Sequence, residues 1–452
     1  MKKQKGTHFT ADSVQSIESK KACANFEYDT HTLFGRLYAG AKKSKLLSKS
    51  ALGEGFGESV VRYTYGKLFE DSIALASIIA SESSGCVLLC AGGMYETALT
   101  ILACSRLSRK LILTDENISP EDFISVLNTT RATFVISVGR LLPLIPKETK
   151  CIDVSSICAA VTGEIASPLQ CRSVSRITED DFSLCFITNE SQREYSTSAI
   201  VFSAEAFAKE MKLSRFDTLL STFEPHSPVG VICGLLSPML SLGTTILCKE
   251  KDIIMTQMRL SMPTRLFCTA DIAAQVTAAL RFAAISSKVS LPVLSSSPPS
   301  EFQKLMYKLF PDTRRALRRR MCARLLMQVG GALKGVMILG RAESYLSKAL
   351  ESLGLFSFSV LSVDGCPYVG ASFDNSPIWK LPRGLLPELC SVGKGGRGVI
   401  TLSGPGIRTE LQEPKKHSCI VGELRFDECD GISLVTPLKG YVCPDGSLFV
   451  EE

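Results

Sequence analysis

Short, fully apolar runs of strand length alternate with longer segments of helical period, and this alternation restricts the chain to a few folds. GCVLLCA at Gly85–Ala91 is too short for a buried helix and reads as a strand. The segment from Met94 repeats apolar residues at helical spacing, and KLILTD at Lys110–Asp115 is the next strand. SPEDFISVLNTT then supplies Ser119 as N-cap, Pro120 at the first helical position and acidic Glu121 and Asp122 in the first turn. TFVISVG (Thr133–Gly139) closes a β-α-β-α-β series, which requires a mainly parallel sheet with helices on both faces.

A second round begins near Leu219. It contains RLFCTAD (Arg265–Asp271) as a strand entering a helix, then LKGVMILGRAES, a helix to Leu353 and the strand FSFSVLSVDG. From about Gly393 the pattern changes to short strands with close turns. The expected fold class is α/β, with two parallel-rich α/β subdomains packed together plus a small distorted antiparallel β-barrel. The boundaries predicted are an extension at 1–54, subdomains at 55–218 and 219–390, and the barrel at 391–452. A chain of 452 residues exceeds what one ordinary core organises.

Composition removes several function classes. The charge of +6 is spread thinly, so no nucleic-acid partner is expected. The densest basic run, DTRRALRRR at Asp312–Arg320, reads as a solvated helix face, with a phosphate or membrane-surface patch as the alternative. The start MKKQKGTHFTADS lacks the apolar core of a signal peptide, so the 17 cysteines are expected as reduced thiols in the cytoplasm. No CxxC pair occurs and histidines number four, so no metal site is expected. Val229–Cys248 is uncharged, but Pro238 and its glycines divide it into a buried helix, a turn and a strand, and no transmembrane segment is expected.

The order of segments over residues 55–452 resembles the adenylate-forming (AMP-binding) superfamily, and is most similar to bacterial long-chain fatty acyl-CoA synthetases. RYTYGKLFEDSIALASIIA (Arg62–Ala80), SPEDFISVLNTTRATFVISVG, HSPVGVICGLLSPMLSLGTTIL (His226–Leu247), GKGGRGVITLSGPGI (Gly393–Ile407) and GYVCPDGSLFVEE (Gly440–Glu452) carry the likeness. GALKGVMILGRAES keeps Gly340 and Ala342 of the family's S-G-x-A pattern. The resemblance implies an acyl pocket near His226, Gly340 and Ala342. It also leads us to expect that the mobile C-terminal domain, which supplies a lysine to adenylation, is absent.

The motifs that carry the family's chemistry are altered. Where relatives have a glycine-rich loop with a lysine that holds ATP phosphates, this chain has Thr188-Asn189-Glu190-Ser191-Gln192-Arg193-Glu194-Tyr195-Ser196-Thr197. The lysine position is Ser196, and Glu190 and Glu194 are expected to face the phosphates with like charge. Ser191 and Arg193 retain the capacity to contact an anion, but a surface loop is the expected structure. The Y-G-x-T-E motif is replaced by Asp364-Gly365-Cys366-Pro367-Tyr368, which retains its glycine and places Tyr368 where the magnesium-side glutamate stands. The T-G-D motif is Thr436-Pro437-Leu438, and leucine accepts no hydrogen bond from a ribose. His226 lies on the turn whose histidine or aromatic residue gates acyl access in relatives, although a structural histidine is the simpler reading.

The expected function is a catalytically inactive acyl-CoA synthetase-like protein that binds an acyl ligand or a protein partner, with use of ATP, magnesium and CoA lost. The enzymatic alternative is a divergent acyl-CoA or acyl-adenylate ligase working with a separately encoded C-terminal domain.

Overall fold

The computed structural model describes residues 32–56, 59–90, 92–157, 159–161, 182–188, 191–286, 315–316, 318–320, 322–373, 376–390, 392–393, 396–408, 415–416, 424–427 and 431–451. Helix α1 (Leu33–Lys43) starts at Thr32, whose hydroxyl accepts from the Gly35 amide. It precedes a hairpin of β1 (Ser50–Phe56) and β2 (Ser59–Thr64), and Thr64 caps α2 (Tyr65–Glu82). These segments fall in the expected extension and the opening of the first subdomain.

The next elements are β3 (Val87–Cys90), α3 (Met94–Arg106), β4 (Leu111–Thr114), α4 (Pro120–Thr130), β5 (Phe134–Ser137) and β6 (Lys150–Asp153). Strands β7 (Ser183–Thr188) and β8 (Ser191–Ser196) complete a six-stranded sheet of order β6-β5-β3-β4-β7-β8. It is parallel except for β8. Every residue of β3, β4 and β5 is buried, as a sheet covered on both faces requires. Ser119 accepts from the Asp122 amide at 3.1 Å, the cap expected for α4.

Helix α5 (Thr197–Glu210) leads to β9 (Thr218–Ser221). A π-helical stretch at Gly230–Leu236, an α-turn at Ser237–Leu240 and β10 (Thr244–Leu247) make up the uncharged segment. Among the described residues no helix is long and apolar enough to cross a membrane. Then come α6 (Ile254–Ser261), β11 (Arg265–Thr269), α7 (Ala270–Ser286), β12 (Gly335–Leu339), α8 (Ser344–Ser352), β13 (Phe356–Val363) and β14 (Cys366–Phe373). The second sheet has the order β14-β13-β12-β11-β9-β10-β1-β2, so the early hairpin extends it through the parallel pair β1–β10.

The main core lies among the helices shared by the two sheets. It joins Phe34 and Phe69 to Leu99 and Leu102, and continues to Ile200, Val231 and Leu235. Glu54, buried on β1, couples the sheets directly: its carboxylate accepts from the Met94 and Tyr95 amides at the N-terminus of α3. An anion there offsets the partial positive charge of the helix end.

The tail forms the curled antiparallel sheet expected of a small barrel. Its main path is β15 (Ile378–Trp379), β16 (Leu386–Cys390), β17 (Gly398–Ser403), β20 (Gly431–Val442) and β21 (Leu448–Val450), in the order β15-β21-β20-β17-β16. The short β18 (Lys415–Lys416) and β19 (Leu424–Asp427) attach to β20. At the glycine cluster before β17, the Gly393 N–H donates to the Arg397 carbonyl at 2.7 Å, which brings the two described ends of the expected turn together.

Candidate functional site

Over its described residues, the expected surface loop at Thr188–Thr197 is instead paired strand ending in a helix cap. Ser183 to Thr188 pair with Ser196 to Ser191 in unbroken antiparallel register. Without glycine, the described residues of the segment adopt none of the left-handed conformations of an anion nest, and their alternation suits a pleated strand. Tyr195 is buried against Phe186, with ring centroids 5.7 Å apart. Ser196 accepts from the Ala199 amide as the N-cap of α5. Asn189 and Glu190 lie outside the described residues, and Thr188 and Ser191 are placed by their backbone register.

Alternation along β8 sends Arg193 and Glu194 to opposite faces. The Glu194 carboxylate accepts from Lys110 Nζ and from Ser183 Oγ, both at 2.5 Å, so it is a structural ion pair and does not share the face of Arg193. The Arg193 guanidinium crosses to the β13–β14 hairpin. Its Nε lies 2.9 Å from both carboxylate oxygens of Asp364, and its Nη2 is 2.6 Å from Oδ2. The altered first and second motifs are therefore joined to each other.

Asp364 and Gly365 form the two-residue tip between Val363 and Cys366. Gly365 has φ +90°, and a Cβ there would lie 3.0 Å from Leu434 and 3.2 Å from Arg408. Its carbonyl accepts from the Arg408 amide at 2.8 Å. The tip thus docks on the small sheet. Leu438, on β20, packs against the apolar cluster that contains Val363, Cys366 and Leu434. All three motif regions meet here, held together by apolar and mutually paired groups.

Tyr368 points into the core. It is fully buried, meets Phe207 edge-on at 5.5 Å, and its hydroxyl has no hydrogen-bond partner among the described residues. Burial raises its phenol well above the ordinary range. Among the described residues no group of three His, Cys, Asp or Glu side chains has the arrangement of a metal site.

The expected acyl-side residues follow the carboxyl ends of parallel strands, the edge at which open α/β sheets bind ligands. Gly340, just after β12, has φ +82° and donates to the Val360 carbonyl at 2.8 Å. A Cβ on it would meet nothing within 4 Å among the described residues, so this position faces open space there. Ala342 is buried and its amide donates to Ser359 Oγ at 3.0 Å. His226 occupies the expected turn after β9, with Nε2 4.0 Å from Asp115 Oδ2 at the end of β4. Nearby on the same two sheets, Lys249 Nζ is 3.8 Å from Glu116. The sequence reading did not anticipate Asp115, Glu116 or Lys249; opposite charges just beyond strand ends were the available signal.

Compared by sequence, the chain matches no protein-family model and no curated relative. Solved structures match along nearly its whole length. VinN superposes with TM-score 0.69 at 15% identity, over 93% of this chain and 98% of VinN. A long-chain-fatty-acid-CoA ligase, FadD1, from Archaeoglobus fulgidus gives 0.68 at 14% identity, over 94% and 85%. A benzoate CoA ligase from Burkholderia xenovorans LB400 gives 0.68 at 16%, over 93% and 79%. The chain shares the fold of these solved structures, two of which are CoA ligases.

Proposed function

We propose that this protein keeps the acyl-CoA ligase frame as a binding module and does not form adenylates. The observation that carries the reading is the Arg193–Asp364 pair. Adenylation needs hydrogen-bond donors and cations aimed at a triphosphate, and Arg193, in the segment that replaces the phosphate loop, is instead paired with Asp364 of the second motif. The residues present do not fit ATP with magnesium: a paired strand replaces the glycine loop, Leu438 replaces the ribose carboxylate, and Tyr368 is directed into the core. The open position beside Gly340 supports an acyl-type ligand at the carboxyl edge of the large sheet.

ATP–pyrophosphate exchange with a panel of fatty and aromatic acids tests the proposal. We expect no exchange above the acid-free background. Acid-dependent exchange, by the chain alone or with a supplied C-terminal domain, would establish the ligase alternative instead.

A further inference from the structure

The opposite edge of the large sheet, where its parallel strands begin, has a different character. Strands β9, β11 and β12 are hydrogen-bonded neighbours with one direction, so the loops entering them emerge side by side. Phe216 enters β9 and is 74% exposed, Met262 enters β11 and is 56% exposed, and Met327 precedes β12 and is 64% exposed. The loops that carry them adjoin. Phe216 and Met262 flank the bonded pair Asp217 and Thr264, whose hydroxyl and carboxylate are 2.8 Å apart. Gly330, at φ +85°, lies against Met262, and Gly331 lies against the Met327 sulfur.

Cations surround this apolar rim. Lys45, Lys212, Arg215, Arg259 and Arg324 are exposed in the segments at or approaching the same edge. Arg215 stacks over Phe216 at 4.8 Å from the ring centre. The described part of the basic run reaches the edge as well, with Arg315 4.3 Å from the centre of the Phe356 ring at the start of β13. Among the described residues the acidic groups are fewer: Asp217 is buried under Lys334, Glu351 is paired with Arg318, and Glu210 is half-buried at the end of α5. Helices α1, α5, α6 and α8 end here, and their C-terminal dipoles, at about half a charge each, offset roughly two of the cations. A basic excess remains, and helix capping gives no reason for three large apolar side chains to project beyond it.

We propose that this rim is a docking surface for an anionic lipid bilayer. The apolar tips would enter the headgroup boundary while the surrounding Lys and Arg meet lipid phosphates. The carboxyl-edge crevice then faces away from the bilayer and stays open, whether or not the protein forms adenylates.

The test is co-sedimentation of the full chain with phosphatidylcholine vesicles that contain or lack phosphatidylglycerol. Binding is expected with phosphatidylglycerol only, and should weaken as salt shortens the Debye length. Each of Arg215→Gln and Arg324→Gln should lower partitioning about fivefold. Phe216→Ser with Met262→Ser should lower it about tenfold or more at an unchanged melting temperature, because both side chains are exposed. Tyr345→Ser serves as the control: Tyr345 is 52% exposed in the first turns of α8, at the opposite edge, and its replacement should change nothing. Failure to bind phosphatidylglycerol vesicles, an unchanged affinity in the Phe216/Met262 variant, or a dimer that the same substitutions dissolve without vesicle binding would each overturn the proposal.

Discussion

The guanidinium of Arg193 and the carboxylate of Asp364, 171 residues apart in the chain, form a three-contact ion pair between the β8 edge of one sheet and a hairpin tip of the other. Either residue alone would leave a charge aimed at the former nucleotide site; together they are neutral. Asp364 is 56% exposed, so solvent limits the contribution of the pair to about 0.5–1 kcal/mol. A double-mutant cycle with Arg193→Ala and Asp364→Ala, read by urea unfolding, should give a coupling of that size. Magnesium-ATP should shift the melting of none of the four proteins. A ligand at a hundred times its dissociation constant would add about 2.7 kcal/mol, which is readily detected.

Tyr368→Glu restores the side chain of the family's magnesium-side position, yet it should not restore function. The carboxylate would enter the cluster of Phe207, Met211, Phe267 and Phe358. A loss of about 3–5 kcal/mol is expected, as for an unpaired buried charge. Tyr368→Phe should be neutral or stabilise the fold by up to about 1 kcal/mol, since it removes a hydroxyl with no hydrogen-bond partner among the described residues. Denaturant unfolding of both variants distinguishes this packing from a solvent-facing residue, which would tolerate Glu.

Asp217 gives a pH-dependent contribution of known sign. Burial opposes its charge, but hydrogen bonds from Ser214 and Thr264 and the charges of Arg265 and Lys334 outweigh burial and hold the carboxyl below its ordinary value. Its stabilisation is complete above the unfolded value of about 3.9 and is lost as pH falls through the lower folded value. Asp217→Asn should cost about 2 kcal/mol at neutral pH, and the difference from wild type should shrink only in the acid limb of a stability–pH curve.

Glu96 has the reverse sign. Burial, followed by the nearby charge of Glu54, raises its carboxyl, and its Oε2 is buried without a hydrogen-bond partner among the described residues. A raised folded value means that stability falls as pH rises above the unfolded value of about 4.3. Glu96→Gln should therefore stabilise the fold at neutral pH, with the gain vanishing in acid. A gain independent of pH would refute the electrostatic origin.

Gly340 and Gly404 both have positive φ but differ in their surroundings. Gly340→Ala should cost about 1 kcal/mol for the backbone alone, because its Cβ would meet open space. Gly404→Ala should cost more, since its Cβ would lie 2.2 Å from the Gly384 carbonyl oxygen. If acyl chains bind beside Gly340, Gly340→Leu should abolish the lipid adducts seen by native mass spectrometry of the wild type.

Local sequence determined the elements and their order. Apolar runs of four or five residues could be covered on both faces only in parallel strands, Ser119 and Pro120 marked a helix start, and close-spaced turns marked the small sheet. Tertiary structure decided how those elements treat the altered motifs. Period and capping act over a few residues, whereas the Arg193–Asp364 pair depends on a sheet edge meeting a hairpin from the other end of the chain. The loss of glycine was legible between Thr188 and Thr197; that the segment would then pair as a strand, separating Arg193 from Glu194, depended on a free edge at β7 to receive it. The apolar, basic rim was equally hidden, because Phe216, Met262 and Met327 become neighbours only when β9, β11 and β12 align in one direction.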